Sequence, residues 1–446
     1  MKIDTFFPGA VPHFTTALTG PVPELERRIL DAMPAIEHWL HGQWQEHVPP
    51  FYASVDLRNS GFKLAPIDTN LYPGGFNNLN PEFDALCEQA TIAAVKNNCP
   101  DARRVLLIPE NHTRNTGYMQ NVDALQRILH SAGINVRMGS LLPDLTAPMD
   151  IELANGGKLR LEPLVLNGNR IGVDGFDPCM LLLNNDLSAG LPEILRNLEQ
   201  TVLPPLHAGW YMRRKSNHFA VYRDVATEFA RLIGIDPWLI NPYFGSCGKI
   251  NFHEHTGEDR LAAIVSEVLT DIRAKYQEYC IKQEPFVIVK ADSGTYGMAI
   301  MTIKDPSEVR NLNRKDRKKM EMGKGHVEVH EVLVQEGVYS FETVNGAVAE
   351  PVVYMIDQFV VGAFYRARAG RGQDQNLNVP GSWFDQLAFE KSSASSNPGD
   401  PGSSSNRFYA YAVIARLALV AAAIELEQLK QTFENKPGTH SAVAPH

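Results

Sequence analysis

The segment from Pro285 to Thr302 places the tightest constraint on the fold of this chain. Its apolar, β-branched run from Phe286 to Val289 predicts a buried strand. The run ends in Lys290, and a buried strand does not carry a charge without a partner for it. A loop with two glycines follows, and then a second apolar run. Because lysine supplies a fixed positive charge and glycines let backbone N–H groups approach closely, the segment predicts a cradle for a polyphosphate; a β-hairpin with an incidental lysine is the alternative.

The composition limits the class of protein. With 446 residues, 44% of them hydrophobic and 21% charged, the chain can bury the cores of two or three globular domains. A formal net charge of −9 argues against a nucleic-acid partner. The five cysteines are odd in number and lack Cys-x-x-Cys spacing, which indicates free thiols in a reducing compartment. Since residues 1–30 lack a signal sequence and no apolar run reaches about 18 residues, we expect a cytoplasmic protein without a membrane partner.

Residues 1–100 combine amphipathic helices with one stretch of strands that is dense in polar groups. In that stretch, Asp68 and Asn70 stand two positions apart in an extended segment, so their side chains share one face. Oxygen-bearing side chains of this kind suit Mg²⁺, which usually binds one or two protein oxygens together with the phosphates of a substrate. An Asx turn, in which such side chains bond to their own backbone, is the alternative, and taken alone the pair favours the turn.

Residues 101–240 predict an α/β domain that binds a substrate. Strands at Val105–Ile108 and Ile134–Met138 flank a helix over Gln120–Ser131. The loop that begins at Glu110 lies beyond the carboxyl end of the first strand, where open α/β sheets bind ligands. A further strand, Met180–Leu183, ends in two asparagines and an aspartate.

Three adjacent cations, Arg213, Arg214 and Lys215, precede a helix that we predict from Ala220 to Ile233. Arginine can grip a carboxylate or a phosphate through two parallel hydrogen bonds. A solvated face in front of a capped helix is the alternative. Aromatic residues on both sides would partly desolvate the cations, which slightly favours anion binding.

Residues 241–435 are richer in antiparallel strand patterns. Lys249 lies between a strand-like run and a helix predicted at Asp259–Tyr279, where it could meet a phosphate, although the full P-loop spacing is missing. The basic segment Asn311–Lys324 predicts either a lid over a triphosphate or solvated surface. Two alternating strands are predicted at 348–354 and 358–365. Further on we predict a flexible Ser- and Gly-rich loop at 392–406, a long packed helix at 408–431 and a tail at 436–446.

The order of these features is similar to that of the ATP-grasp fold. The resemblance implies an α/β (α+β) protein in which two β-rich subdomains sandwich ATP, with the N-terminal α/β substrate domain beside them. By the same resemblance, Lys249 and Lys290 contact the phosphates or the base of ATP, and Arg366 faces the γ-phosphate. The resemblance also implies a loop that covers the phosphates, formed by Ser293, Gly294, Thr295, Tyr296 and Gly297. It implies an adenine-binding hinge at Gln335, Glu336 and Val338, with Glu342 near the ribose.

Longer motifs narrow the resemblance. Nearly the whole chain resembles the proteobacterial glutamate–cysteine ligase family of the Acidithiobacillus type, through motifs such as Lys-Ala-Asp-Ser-Gly-Thr-Tyr-Gly-Met, Arg-Arg-Lys-Ser-Asn-His-Phe and Asp-Thr-Asn-Leu-Tyr-Pro-Gly-Gly-Phe. The resemblance implies ATP-dependent joining of the L-glutamate γ-carboxyl to the L-cysteine amine through γ-glutamyl phosphate, the first step of glutathione synthesis. Another ATP-grasp ligase, such as a glutathione synthetase-like enzyme, and a nucleotide-binding regulator without catalysis are the alternatives.

The resemblance also assigns a metal site and a substrate site. The acidic metal pair that ATP-grasp enzymes usually carry late in the chain gives way here to the Ser- and Gly-rich loop. Glutathione synthetases of the eukaryotic kind carry an acid-x-Asn pair early instead, so the expected Mg²⁺ ligands are Asp68, Asn70, Glu350, Asn376 and Asn378. The residues expected to bind glutamate are Arg58, Arg213, Arg214 and Asn217. Lys290 and Arg366 are expected to neutralise the developing phosphoryl charge, and the chain could form a homo-oligomer.

Overall fold

The computed structural model describes residues 22–294, 299–321, 328–387 and 407–434. The helices in these ranges are α1 (Val22–Asp31), α2 (Met33–Glu46), α3 (Asp84–Asn98), α4 (Thr116–Ser131), α5 (Lys215–Ile233), α6 (Glu258–Glu278), α7 (Ser307–Arg310), α8 (Arg314–Glu321) and α9 (Arg407–Glu434). The strands are β1 (Tyr52–Asn59), β2 (Leu64–Asn70), β3 (Arg104–Pro109), β4 (Asn135–Ser140), β5 (Met149–Glu152), β6 (Lys158–Pro163), β7 (Val165–Asn167), β8 (Arg170–Gly172), β9 (Met180–Asn184), β10 (Thr201–Leu203), β11 (Phe244–Lys249), β12 (Val287–Ala291), β13 (Ile300–Ile303), β14 (Glu331–Glu336), β15 (Thr343–Val344), β16 (Ala347–Ile356), β17 (Phe359–Arg368) and β18 (Trp383–Gln386).

The large sheet joins the two ends of the chain. Its strands are antiparallel in the order β18-β17-β16-β1-β2, and β15 also pairs with β16. The strand pair predicted at 348–365 is confirmed as β16 and β17, and their register places Glu350 opposite Arg366. Beside them, β1 pairs with β16 so that Val55 lies opposite Val353. The N-terminal region therefore supplies two strands to a sheet whose other strands lie near the C-terminus.

The parallel sheet is built from residues 104–203. Its strand order is β10-β9-β3-β4-β6-β5, in which β5 is an antiparallel edge strand. Pro109 of β3 and Asn184 of β9 lie side by side at the carboxyl ends of their strands. Helix α4 begins at Thr116 rather than at Gln120, because Asn115 caps it by accepting a hydrogen bond from the Tyr118 N–H at 3.1 Å. The predicted α/β unit is confirmed, and the missed cap explains the difference in the start of the helix.

The small sheet has the antiparallel order β11-β14-β12-β13. The segment from Pro285 to Thr302 forms β12 and β13, which pair directly with Lys290 opposite Ile300. The hairpin alternative therefore describes the strand pairing correctly. Lys290 is nevertheless only 7% exposed, so its charge is not incidental to the fold. Residues 295–298, which connect the two strands, lie outside the described ranges.

Helix α9 packs into the core against α5 and against strands β1, β2 and β16 of the large sheet. It confirms the predicted C-terminal helix, while the predicted loop at 392–406 and tail at 436–446 lie outside the described residues. Contrary to expectation, its segment Phe408–Glu434 is long and apolar enough to span a membrane. However, 83% of the most apolar part of that segment is buried inside the protein. Since a fully buried Leu side chain contributes about 1.5–3 kcal/mol to stability, the composition of α9 is explained by its place in the core.

Candidate active site

Cleft A lies between the large sheet and the small sheet. Its walls mix charged and apolar side chains, and the start of α5 closes one side. The lining residues are Asp56, Arg58, Ile67, Asp68, Lys215, Ile288, Lys290, Ala291, Ser293, Gly294, Ile300, Gln335, Glu336, Val338, Glu350, Arg366, Asn376 and Asn378. The cleft holds two lysines and two arginines beside four carboxylates, so it offers cations to an anionic ligand and oxygen ligands to a metal ion bound with that ligand.

Lys290 projects from β12 between the two sheets. Its Nζ donates a hydrogen bond to the Ile67 carbonyl oxygen of β2 at 2.7 Å and lies 5.3 Å from the centroid of the Phe219 ring. Burial lowers the pKa of Lys290 to about 8, and the nearby Asp68 carboxylate limits the fall. The lysine therefore stays largely charged near neutral pH, with the Asp68 carboxylate as its nearest compensating charge.

Lys215, the first residue of α5, is the second cation of the cleft. It is buried, and its Nζ donates to Asp68 Oδ1 at 2.5 Å while lying 4.6 Å from the Trp210 ring. Burial alone would raise the pKa of Asp68, but Lys215 and Lys290 bring it down to about 2. Asp68 thus lies as an anion between two lysines. Lys215 was not among the predicted site residues, because the sequence showed it only as one of three adjacent cations.

Asp292 fixes the start of α5 and hence Lys215. Its two carboxylate oxygens accept hydrogen bonds from the backbone N–H and the hydroxyl of Ser216, each at 2.7 Å. Its carbonyl oxygen accepts from the Lys215 N–H, also at 2.7 Å. Because Asp292 directly follows β12, one residue links the strand that carries Lys290 to the helix that carries Lys215.

Arg366 lies at the centre of a buried network on the large sheet. One of its terminal nitrogens donates to Asp56 at 2.7 Å and to Glu350 at 2.9 Å. Glu350 also accepts from Arg58 at 2.9 Å, and Arg58 donates further to the carbonyl oxygens of Val338 and Gln375. Burial opposes the charge of Arg366, but Asp56 and Glu350 together raise its pKa. Among the described residues, its Nε has no hydrogen-bond partner.

The end of β14 forms one wall of cleft A with two buried polar residues. The Glu336 carboxylate accepts hydrogen bonds from Lys63 Nζ at 2.7 Å, the Trp238 indole N–H at 3.2 Å and the Tyr243 backbone N–H at 2.9 Å. Gln335 is only 2% exposed, and in the described part of the chain its Nε2 finds no acceptor. A buried amide donor without an acceptor is costly, which indicates that a ligand supplies the acceptor.

Cleft B lies at the carboxyl ends of β3 and β9 and faces the large sheet. It encloses about 420 Å³, within the range of about 300–1,000 Å³ that is usual for ligand pockets. Its walls include Ser54, Asn70, Tyr72, Gly74, Gly75, Asn77, Asn78, Glu110, Asn115, Gly117, Tyr118, Gln120, Asn184, Asp186, Tyr354, Phe364 and Phe384. It shares Asp56, Asp68, Arg366 and Asn378 with cleft A, so the two clefts meet at these four residues.

Most of the predicted site residues line one of these clefts. Those that line cleft A are Lys290, Arg366, Ser293, Gly294, Gln335, Glu336, Val338, Arg58, Asp68, Glu350, Asn376 and Asn378, while Asn70 lines cleft B. Thr295, Tyr296 and Gly297 lie outside the described residues. Of the cleft residues that were not predicted, Asp56 stood in the polar N-terminal stretch, and Glu110 and Asp186 stood at predicted strand ends.

Five predicted site residues line neither cleft. Lys249 is exposed at the end of β11, and Asn217 is exposed on α5. Arg213 makes two hydrogen bonds to Glu425 of α9, at 3.0 and 2.8 Å, and Arg214 donates to Glu331 at 2.6 Å. Glu342 accepts hydrogen bonds from Asn59 and Tyr411. The side chains of Arg213, Arg214 and Glu342 therefore bind protein groups that are distant in sequence.

The predicted metal ligands have other partners. Asn70 Oδ1 accepts the Tyr72 N–H at 2.9 Å, and Asn376 Oδ1 accepts the Asn378 N–H at 2.9 Å, which are the Asx turns of the alternative interpretation. Within the described ranges, no group of three or more His, Cys, Asp and Glu side chains could hold a metal ion. The side-chain oxygens of cleft A could therefore bind Mg²⁺ only together with the phosphates of a nucleotide, which would supply the remaining ligands of the metal.

The two joined clefts, one with buried cations and one at the edge of a parallel sheet, could hold an anionic ligand beside a second small molecule, as a ligase requires. The sequence model of the family described as glutamate-cysteine ligase matches residues 26–426. The chain therefore belongs to the glutamate–cysteine ligase family, and the predicted enzyme class is confirmed.

One solved structure agrees with this family. A proposed γ-glutamylcysteine synthetase from Methylobacillus flagellatus KT is 60% identical, with a TM-score of 0.86 over 94% of this chain and 99% of the other. A glutathione synthetase-like effector from Globodera pallida and a D-alanyl-alanine synthetase A from Vibrio cholerae are each 10% identical. They cover 82% and 71% of this chain and 84% and 81% of their own, but their TM-scores of 0.39 and 0.32 are too low to support an argument. No curated protein sequence matches the chain.

Proposed function

We propose that this enzyme forms γ-glutamylcysteine from L-glutamate, L-cysteine and ATP, with ATP in cleft A and the reacting carboxylate where clefts A and B meet. The observation that carries the proposal is the pair of buried lysines, Lys215 and Lys290, on either side of Asp68 and beside Arg366. These groups supply the positive charge that a triphosphate requires. The proteobacterial, Acidithiobacillus-type assignment is part of the proposal and rests on the sequence motifs.

The reaction proceeds in two displacements. An oxygen of the glutamate γ-carboxylate attacks the γ-phosphorus of ATP, the bond from that phosphorus to the bridging oxygen breaks, and ADP leaves. The cysteine nitrogen then attacks the γ-carbonyl carbon, the carbon–oxygen bond to phosphate breaks, and the nitrogen loses its proton to phosphate or solvent. The protein must therefore position the reactants, neutralise the phosphoryl charge and exclude water.

The residues of cleft A suit these tasks. Lys290, Lys215 and Arg366 would hold the phosphates, and the buried Gln335 amide would donate to the adenine base between Ile288 and Val338. Cleft A encloses only about 100 Å³, below the range of about 300–1,000 Å³ for ligand pockets. We therefore expect nucleotide binding to move the two sheets apart.

Mg²⁺ would be held by Asp68, with the amide oxygens of Asn376 or Asn378 and the phosphates. When bound, it would neutralise part of the triphosphate charge. Glu350 is a poorer ligand than expected, because Arg58 and Arg366 already share its carboxylate. A cytoplasmic location, a homo-oligomeric state and the absence of nucleic-acid and membrane partners remain predictions from the sequence.

An assay of ATP-dependent phosphate release over pairs of amino acids tests the proposal. We expect turnover with glutamate plus cysteine, and a product with the mass of γ-glutamylcysteine. Turnover only with γ-glutamylcysteine plus glycine would identify a glutathione synthetase instead. Nucleotide affinity without turnover on any pair would identify a regulator and reject the proposed function.

A further inference from the structure

We infer that cleft B binds the glutamate substrate by its α-ammonium and α-carboxylate groups at Glu110, Asp186, Tyr72 and the start of α4, with the γ-carboxylate toward Arg366. This inference rests on the proposed function, and it places the specificity for glutamate away from the arginines that the sequence indicated. Cleft B is lined by none of Arg58, Arg213, Arg214 and Asn217.

Two carboxylates form the anionic side of the cleft. Glu110 directly follows β3 and accepts the Asp186 N–H through Oε1 at 3.0 Å, so the two acidic residues are adjacent. Both line cleft B, and Asp186 is buried. Two carboxylates that line one partly enclosed cleft favour a cation, and the α-ammonium of an amino acid supplies one.

The start of α4 supplies the complementary positive end. The Asn115 side chain accepts a hydrogen bond from the Tyr118 N–H. The N–H groups of Thr116 and Gly117, the first two residues of the helix, point away from it and have no carbonyl partner inside the helix. Such N–H groups at the start of a 16-residue helix bind carboxylates well. The Tyr118 hydroxyl accepts the Glu110 N–H at 2.8 Å, and Gly117 lines the same cleft as Glu110 and Asp186. Both groups that an α-amino acid carries on one carbon therefore have candidate partners in one cleft.

Tyr72 is an independent sign of a ligand in the same cleft. It is only 6% exposed, and its hydroxyl lacks a hydrogen-bond partner in the described part of the protein. Burial raises its pKa well above the usual value, so the hydroxyl stays protonated and can donate. Arg366 Nε, where cleft B meets cleft A, is a second buried donor without a partner there. The cleft thus offers donors at both ends of a dicarboxylic amino acid.

The test compares glutamate with two analogues that each lack one group. Glutarate lacks the α-ammonium, and 4-aminobutyrate lacks the α-carboxylate. In Glu110→Gln, we expect the KM for glutamate to rise about ten- to hundredfold while the weak activity with glutarate changes little, so that the preference for glutamate over glutarate shrinks. The KM for ATP and that for cysteine should not change.

Tyr72→Phe is the second variant, because it removes a hydroxyl that has no hydrogen-bond partner among the residues that the structure describes. We expect an unchanged melting temperature and a rise of about two- to tenfold in the KM and calorimetric Kd for glutamate. The matched control is Tyr211→Phe, which removes another buried hydroxyl without a described partner, outside both clefts. Asp123→Asn, on the surface of α4, controls for the loss of charge.

The outcomes separate the two proposals. If the wild-type enzyme shows no glutamate-dependent ATP turnover, the proposed function fails. If it turns over normally and both cleft variants keep the glutamate KM of their controls, only the present inference is overturned. A change confined to the KM for cysteine would also overturn it, since it would assign these residues to the other amino acid.

Discussion

Lys290 is buried beside the anion Asp68 and carries a pKa of about 8, so its charge depends on pH in the range where enzymes are assayed. Below pH 8 the ammonium is present and attracts phosphate; above pH 8 it is increasingly neutral. We expect nucleotide affinity to fall as the pH rises from 7 to 9. A bound phosphate favours the charged form, so the midpoint should shift upward in the complex.

Lys290→Arg is the informative variant for this prediction. Arginine keeps its charge throughout that range, so the Kd for nucleotide, measured by calorimetry, should depend much less on pH than in the wild type. An identical pH dependence in both proteins would show that another group is responsible.

The sequence revealed some residues of the site and missed others for a physical reason. Lys290 could be found because a charge at the end of an apolar strand is unusual wherever the strand lies. Lys215 could not be separated from Arg213 and Arg214, because only the fold shows which cation faces the cleft. Asp292 caps a helix that begins far earlier in the chain, and no local pattern encodes that contact.

At the scale of elements, α5 is held at its start by Asp292 and along its length by α9. We expect Asp292→Ala to lower the free energy of unfolding by about 1–2 kcal/mol, the usual effect of losing a helix cap. It should also lower kcat, because Lys215 would lose its fixed position. Asp292→Asn keeps an acceptor for the cap and should cost less; urea denaturation and steady-state kinetics measure both effects. Equal stability of the alanine variant and the wild type would contradict the role of the cap.

The buried ion pair between Arg213 and Glu425 links α5 to α9. Removing one partner of such a pair costs about 3–5 kcal/mol, whereas replacing both by apolar residues is often neutral. We therefore expect Arg213→Met to lower the melting temperature strongly, and the addition of Glu425→Met to restore much of it. A raised KM for glutamate with an unchanged melting temperature would instead support the substrate-binding role expected from the sequence.

The same pair makes stability depend on acid. Burial alone would raise the pKa of Glu425, but Arg213 lowers it to about 2. The stabilisation is therefore complete above the ordinary pKa of 4.5 and is lost as the pH falls toward 2. Between pH 5 and pH 2, the double variant should lose less stability than the wild type in urea titrations.

At the scale of the whole molecule, the metal should arrive with the nucleotide. No three acidic, histidine or cysteine side chains converge in the ranges described, and Asp68 is already paired with Lys215. We expect calorimetry to detect no Mg²⁺ binding to the enzyme alone and clear binding when nucleotide is present. Asp68→Asn should raise the Mg²⁺ concentration for half-maximal activity at least about tenfold. Tight binding of Mg²⁺ to the free enzyme would contradict this expectation.

The order of motifs predicted the overall class correctly, because each strand, helix and polar loop has a local signature. The pairing between strands from distant parts of the chain was not predictable in the same way. The sequence places β1 and β2 in an N-terminal segment, yet β1 pairs with β16 as well as with β2, because the partner of a strand is chosen by packing over the whole chain. For the same reason cleft B, whose walls come from three separate regions, was visible in the sequence only as isolated strand ends.

The pairing of β1 with β16 also has a consequence for how the protein is made. About 300 residues separate Val55 from its partner Val353. At ribosomal rates of about 5–20 residues per second, β1 waits roughly 15 to 60 s for the strand that completes its sheet. During that time a β-hairpin whose side chains are mostly buried in the folded protein is exposed on the nascent chain, so we expect this enzyme to depend on chaperones during synthesis more than its stability once folded would suggest.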